Sequence, residues 1–106
     1  MISTHILDTS KGMPATNVEI VLEKKDAASK AWINIGSGFT NNDGRFVFDI
    51  PSEMGIYRLN FGIEAYFQGN AFFLDTPVVF QIKDINRKYH IPLLLNPYGY
   101  TTYRGS

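Results

Sequence analysis

Apolar and polar residues alternate along much of the chain, and this period of two is typical of β-strands with one buried face. In segment 17–23, Val18, Ile20 and Leu22 fall on one face, while Glu19 and Glu23 fall on the other. Segments 45–50 and 57–61 repeat the pattern with aromatic and aliphatic residues. These segments are therefore predicted to be half-buried strands.

The whole pattern predicts an all-β sandwich of two sheets. Turn signals separate the strands, most clearly at 41–44 (Asn-Asn-Asp-Gly) and 96–99 (Asn-Pro-Tyr-Gly), where the residue types suit tight turns. Segment 63–68 lacks strict alternation and precedes Gly69, so a short helix is predicted there. About eight strands are expected, at 2–7, 17–23, 31–35, 45–50, 57–61, 78–82, 88–95 and 100–106.

Composition narrows the classes of function. The chain of 106 residues is expected to form a single domain, 1–106, because domains commonly have about 100–150 residues. Ten basic and ten acidic residues give a net charge of zero, which argues against nucleic-acid binding. The lack of cysteine excludes disulfides and thiolate catalysis. No long apolar segment or signal-like start is present, so we expect a cytoplasmic protein without membrane contact.

One of the two histidines, His90, is predicted to point away from the core. It shares a strand face with Pro92 and Leu94, whereas the alternate residues around it are apolar. Pairing across the 96–99 turn would set His90 opposite Gly105, which leaves open space beside the imidazole. A single histidine in a strand is more often structural, but this outer face is apolar enough to suggest a surface covered by another subunit.

Three other features could take part in chemistry. His5 shares a face with Ser3 and Leu7, so both histidines would emerge on one side if their strands lie in the same sheet. Arg45 directly follows the 41–44 turn and is either a solvated arginine or a fork for an anionic or amide-like ligand. The segment 103–106 (Tyr-Arg-Gly-Ser) is either frayed or docked against the site.

Three stretches together resemble one family, the 5-hydroxyisourate hydrolases, which are transthyretin-like enzymes. The first is 4–9 (Thr-His-Ile-Leu-Asp-Thr), followed by Gly12 and Pro14. The second is the arginine-bearing turn at 40–45. The third covers 89–106, which matches the C-terminal signature of the family nearly throughout, and its closing tetrapeptide distinguishes the hydrolases from transthyretin itself.

The resemblance implies a prealbumin-like sandwich of two four-stranded sheets with one short helix. It also implies a homotetramer with active sites at the interface between dimers. The implied reaction opens the six-membered ring of 5-hydroxyisourate, in urate degradation, to 2-oxo-4-hydroxy-4-carboxy-5-ureidoimidazoline, without cofactor or metal. By motif position, the site residues are His5, Arg45, His90, Tyr103 and Ser106.

Chemistry suggests a role for each of these residues. His5 or His90 would activate water, and the other ring would bind or polarise the substrate. Arg45 would hold the carbonyls of the substrate and offset developing negative charge. Ser106 would hydrogen-bond His90 and fix its tautomer, and Tyr103 would close the pocket.

Two rival functions use the same sandwich. A non-enzymatic, transthyretin-like carrier would bind a small aromatic ligand in the channel between dimers, and a structural interaction domain would use the apolar outer face for assembly alone. The two outward histidines and the tyrosine–arginine tail favour the hydrolase, since Tyr103 would narrow the channel of a carrier.

Overall fold

Ten short segments of regular structure form two stacked sheets in the computed structural model, which describes residues 1–106. In chain order they are β1 (Ile2–Asp8), β2 (Met13–Pro14), β3 (Glu19–Lys25), β4 (Trp32–Phe39), β5 (Arg45–Phe48), β6 (Gly55–Phe61), α1 (Ile63–Tyr66), β7 (Thr76–Ile82), β8 (Tyr89–Asn96) and β9 (Gly99–Thr102).

The first sheet is built around β1. On one side β1 pairs in parallel with β8, which in turn pairs with β9 at the edge. On its other side β1 pairs antiparallel with β5 along its first half and with the two-residue β2 at its end. The second sheet has the order β4-β3-β6-β7 and is antiparallel throughout. The predicted sandwich is confirmed, and β2 is an addition to the first sheet.

The core lies between the inner faces of the two sheets. Sixteen buried apolar residues form one cluster, and the alternation predicted for segments 18–23 and 57–61 holds in β3 and β6. Complete burial of one such side chain stabilises the folded state by about 1.5–3 kcal/mol. The alternation that places these side chains in the interior is therefore the main determinant of the fold. The fully buried residues of these two strands are Ile20, Leu22, Tyr57, Leu59 and Phe61.

The predicted helix is present but spans only Ile63–Tyr66. Its first residue, Ile63, is buried against the core. The chain then enters the left-handed region at Gln68 (φ 54°) and Gly69 (φ 81°), which a continuing helix cannot do. No helix of the structure has the length and apolar character needed to cross a bilayer.

Strand β4 runs four residues beyond its predicted end at residue 35. The extension contains Gly36 and Gly38. Because glycine has no side chain, these positions showed no apolar alternation, and the prediction stopped before them. In the structure the ring of Phe46 lies where a Cβ on Gly38 would be, and the ring of Phe48 comes within 3.1 Å of where a Cβ on Gly36 would be, so the aromatic rings of β5 fill that part of the core. The last predicted strand, 100–106, is regular only over β9 and resumes as a single bridge at Gly105.

Candidate active site

The parallel pairing of β1 with β8 brings the two histidines onto one surface. Ser3 lies opposite His90, and His5 lies opposite Pro92 in the same register. Because inward residues of both strands are buried, the alternate residues project from the outer face of the first sheet. Both imidazoles are half-buried there. The predicted outward direction of the histidines is confirmed, and the pairing of β1 with β8 supplies the common sheet that the sequence left open.

The 41–44 turn places Arg45 beside His5. The side-chain oxygen of Asn41 accepts hydrogen bonds from the backbone N–H groups of Asp43 (2.9 Å) and Arg45 (3.0 Å). Gly44 takes a left-handed φ of 74°, and its carbonyl accepts the N–H of Ile6 at 2.7 Å. The turn is therefore fixed both internally and against β1. As a result, Arg45 begins β5 directly opposite His5.

The segment that follows β9 is docked against β8. Leu95 pairs with Tyr100, as predicted, and the N–H of Gly105 donates to the carbonyl of His90 at 2.8 Å. His90 and Gly105 therefore form a bridge, which is the register that the 96–99 turn predicted. This bridge carries Ser106 to the same surface as the histidines.

All five predicted site residues line one cleft of about 370 Å³. Its imidazoles and guanidinium are surrounded by aliphatic side chains, and none of the lining side chains is a carboxylate. The cleft therefore combines groups that bind anions with groups that transfer protons. No cluster of three His, Cys, Asp or Glu side chains suited to a metal ion occurs in the structure. The cleft is lined by His5, Leu7, Arg45, His90, Pro92, Leu94, Tyr103, Gly105 and Ser106.

The environment of His90 favours its neutral form. Burial lowers the pKa of the imidazole below the usual 6.5, and Coulombic interactions with His5 and Arg45 lower this pKa further. At neutral pH the ring is therefore predominantly uncharged. A neutral imidazole can accept a proton, which is the property that a general base requires.

The hydroxyl that contacts His90 belongs to Ser3, a residue to which sequence analysis assigned no role. Ser3 Oγ lies 2.8 Å from His90 Nδ1. From the sequence we expected Ser106 to hydrogen-bond His90. In the structure Ser3 makes this hydrogen bond, and Ser106 lines the cleft. Ser3 could be recognised as a site residue only from the parallel register of β1 and β8. That register sets Ser3 beside His90, although the two residues are 87 positions apart in the sequence.

Tyr103 lies at the open side of the cleft. The residue is 57% exposed in the single chain, so one chain alone leaves the site accessible to solvent. An adjoining depression continues from the cleft past Ser3 and Lys88, and Arg45, His90 and Ser106 line both. The site is thus a shallow groove with positively charged groups along its length.

Comparisons with known proteins agree with this geometry. The model of the HIUase/Transthyretin family matches residues 2–105. A 5-hydroxyisourate hydrolase from Salmonella dublin is 43% identical over 100% of this chain and 81% of that protein.

Two solved structures have the same fold over almost the whole chain. Klebsiella pneumoniae 5-hydroxyisourate hydrolase superposes with a TM-score of 0.85 at 33% identity, covering 99% of this chain and 98% of that one. Sea bream transthyretin, solved in complex with thyroxine, superposes with a TM-score of 0.89 at 32% identity, covering 98% and 93%. With the family model matching nearly every residue, this chain belongs to the HIUase/Transthyretin family.

Proposed function

We propose that this protein is a 5-hydroxyisourate hydrolase acting in urate degradation. The observation that carries the proposal is the convergence of two imidazoles and one guanidinium in a single cleft, from three strands that are distant in sequence. The hydrolase names of the relatives from Salmonella dublin and Klebsiella pneumoniae support the same activity.

The reaction adds one water molecule to a ring carbonyl of 5-hydroxyisourate and breaks the adjoining C–N bond. The carbonyl carbon becomes the carboxy group of the product, and the nitrogen becomes part of its ureido group. The site must therefore take a proton from water, stabilise negative charge on the carbonyl oxygen and return a proton to the departing nitrogen. General acid–base catalysis of this kind typically contributes about 10²–10⁴-fold to a rate.

His90 is assigned the proton transfers. Its lowered pKa keeps the ring neutral at physiological pH, so that it can accept a proton from water. The imidazolium formed in this way can then protonate the ring nitrogen as the C–N bond breaks. His5 lies one strand away on the same surface, where it can bind or polarise the substrate.

Arg45 is assigned to the carbonyl oxygens of the substrate. Its guanidinium is permanently charged and presents several N–H donors in one plane, which suits the paired carbonyl groups of an oxidised purine. Negative charge that develops on the attacked oxygen is stabilised by this donor at about 3–4 kcal/mol. Ser106 and Tyr103 complete the binding surface, with Tyr103 covering the substrate ring from the open side.

The carrier function is not favoured by the composition of the cleft. Sea bream transthyretin is the relative solved with thyroxine. Here the corresponding outer face of the sheet carries ionisable groups at its centre, and the Tyr103 side chain would narrow a channel. We expect calorimetry with thyroxine to give no saturable binding, in contrast to the turnover of 5-hydroxyisourate.

The active assembly is proposed to be a homotetramer with its sites at the interface between dimers. Aliphatic side chains surround the ionisable groups on the outer face of the first sheet, and such a surface is normally covered. Strands β5 and β9 in the first sheet and β4 and β7 in the second each pair on one side only, which leaves edges of both sheets open for contact with another subunit.

Spectrophotometric decay of freshly generated 5-hydroxyisourate tests the activity, after subtraction of spontaneous breakdown. We expect the wild-type protein to accelerate decay and Arg45→Ala to lower kcat/KM by about 10²–10³-fold, because a positioned charged donor is lost. Arg45 is exposed, so the variant should melt at nearly the wild-type temperature.

Arg87→Ala is the matched control. Arg87 is also exposed but lies in the loop between β7 and β8, outside the cleft, so its removal should leave turnover unchanged. Decay at the uncatalysed rate with wild-type protein would exclude the hydrolase. Wild-type turnover by Arg45→Ala would remove this arginine from the mechanism.

A further inference from the structure

We propose that Ser3 is a positioning residue that selects the tautomer of His90 and directs its Nε2 into the cleft. The inference rests on the proposed function and extends it to a residue that does not touch the substrate. It is carried by the contacts at both edges of the His90 ring and by the register of β1 against β8.

The first contact is the hydrogen bond at the inner nitrogen of the ring. Ser3 Oγ is 2.8 Å from His90 Nδ1, within the range of a good hydrogen bond. The two residues are direct partners in the parallel ladder, so the backbone itself sets their spacing. Ser3 is half-buried, which limits competition from water for this bond.

The second contact holds the opposite edge of the ring. Gly105 packs against this edge so closely that a Cβ built on it would lie 2.5 Å from His90 Cδ2 and 3.1 Å from Pro92. Nδ1 and Cδ2 are the two ring atoms bonded to Cγ. With both of them occupied by neighbours, Cε1 and Nε2 form the free end of the ring. The reactive nitrogen is therefore Nε2.

Catalysis determines the direction of the Ser3 hydrogen bond. For Nε2 to accept a proton from water, the hydrogen of the neutral ring must be on Nδ1, and Ser3 Oγ must accept it. The same Nδ1–H···Oγ bond persists when the ring becomes imidazolium. A serine that donated to Nδ1 would lose its bond at that step. Ser3 as acceptor thus supports the ring in both protonation states.

Several charged or titratable groups surround the ring and must be considered in any pH measurement. The charged or titratable side chains that line the cleft and the adjoining depressions around His90 are His5, Arg45, Lys88, Tyr89, Tyr103 and Arg104. Ser3 carries no charge, so its replacement leaves the Coulombic field of these groups intact. A change in the titration of His90 on replacing Ser3 therefore reports the hydrogen bond.

The test compares Ser3→Ala with the conservative Ser3→Thr. We expect Ser3→Ala to lower kcat by about 10- to 100-fold with little change in KM, because a misdirected catalytic group costs rate more than binding. The acidic limb of its pH profile should move to lower pH, since the charged ring loses an acceptor. Ser3→Thr keeps a hydroxyl and should restore kcat to near the wild-type value.

Nitrogen-15 NMR of His90 gives a readout that a purely structural role would not move. The wild-type and Ser3→Thr rings should carry their hydrogen on Nδ1, and the Ser3→Ala ring should shift towards the Nε2–H tautomer. Ser37→Ala is the control, because Ser37 is exposed on β4 in the other sheet. It should change neither kcat nor the spectrum.

Unchanged kcat and an unchanged tautomer in Ser3→Ala would overturn the proposal while leaving the hydrolase function in place. If the wild-type protein did not turn over 5-hydroxyisourate, the function would fail, whereas the tautomer measurement would still test the contact. If Ser3→Ala did not fold, failure of Ser3→Thr to retain both kcat and the Nδ1–H signal would overturn the proposal.

Discussion

At the scale of single residues, the site depends on the neutral form of one imidazole. Burial and Coulombic interactions with His5 and Arg45 lower the pKa of His90. The alternation along β1 and β8 correctly predicted that His5 and His90 point away from the core. The turn residues at 41–44 correctly predicted that a strand begins at Arg45. The contact from Ser3 could not be predicted, because alternation along each strand contains no information about which strands are neighbours.

The titration of His90 can be tested directly. Replacing Arg45 with Gln removes a positive charge that disfavours the protonated ring, so the pKa of His90 should rise towards its usual 6.5. The acidic limb of the residual kcat/KM profile should move to higher pH by the same amount. Proton NMR of the imidazole across about pH 4–8, a range that spans the usual value of 6.5, measures the shift.

The control for this titration is Arg87→Gln, which changes the net charge equally but lies outside the cleft. It should leave the His90 titration in place. A His90 pKa that is the same in the wild-type protein and in Arg45→Gln would contradict the assigned electrostatic effect.

At the scale of elements, the end of β1 is tied to helix α1 through one buried carboxylate. Asp8 accepts hydrogen bonds from the hydroxyl of Tyr66 (2.7 Å) and from the backbone N–H groups of Ser10 (2.9 Å) and Lys11 (3.3 Å). These bonds connect the first sheet, the loop after β1 and the helix. The sequence predicted the helix and the strand separately, but it gave no sign that Asp8 joins them.

The Asp8 contacts make stability depend on pH. Burial opposes ionisation of this carboxyl, but hydrogen bonds from Ser10 and Tyr66 outweigh it and lower its pKa below 3.8. The ionised form is therefore stabilised by folding, and that stability is present above the unfolded pKa and lost as pH falls through the folded pKa. Desolvation and the contact with Asp8 raise the pKa of Tyr66 to about 12.

We expect Asp8→Asn to lower the free energy of unfolding by about 2–3 kcal/mol at pH 7, because several hydrogen bonds to a charged acceptor are weakened. Urea titrations at pH 7 and at pH 3 measure the difference from wild type, which should shrink at the lower pH. Asp43→Asn, an exposed carboxyl in the 41–44 turn, is the comparison and should cost little. An Asp8→Asn deficit that did not change with pH would contradict the role of the ionised carboxylate.

At the scale of the whole molecule, the cleft exists only because β1 lies between β5 and β8. Alternation and turn signals correctly predicted the layers and most strand positions. The order of strands within each sheet could not be derived from them, because period two determines which face is buried and leaves the pairing open. The glycines of β4 were not predicted as strand residues for a different reason. They have no side chains to show alternation, and the rings of Phe46 and Phe48 pack against them in the core.

The assembly can be tested by light scattering after size-exclusion chromatography. We expect a mass four times the 12.0 kDa of one chain. Leu94→Glu places a charge among the aliphatic side chains of the cleft and should lower both mass and turnover, if the site lies where subunits meet.

The matched substitution is Ile33→Glu, at an exposed apolar position of the second sheet. It should leave mass and turnover unchanged. A monomeric wild-type protein with full turnover would contradict the tetramer.

The pairing of Ser3 with His90 joins positions 87 residues apart, so β1 and β8 must meet before any chemistry can begin. Closing so long a loop is among the late and slow events of folding. Because β8 lies inside the first sheet and carries His90, a chain that ends at β7 lacks both this pairing and a residue of the cleft and should have no activity. During refolding, turnover should therefore return only after β1 and β8 have paired and the subunits have assembled, which makes activity a late signal of complete folding.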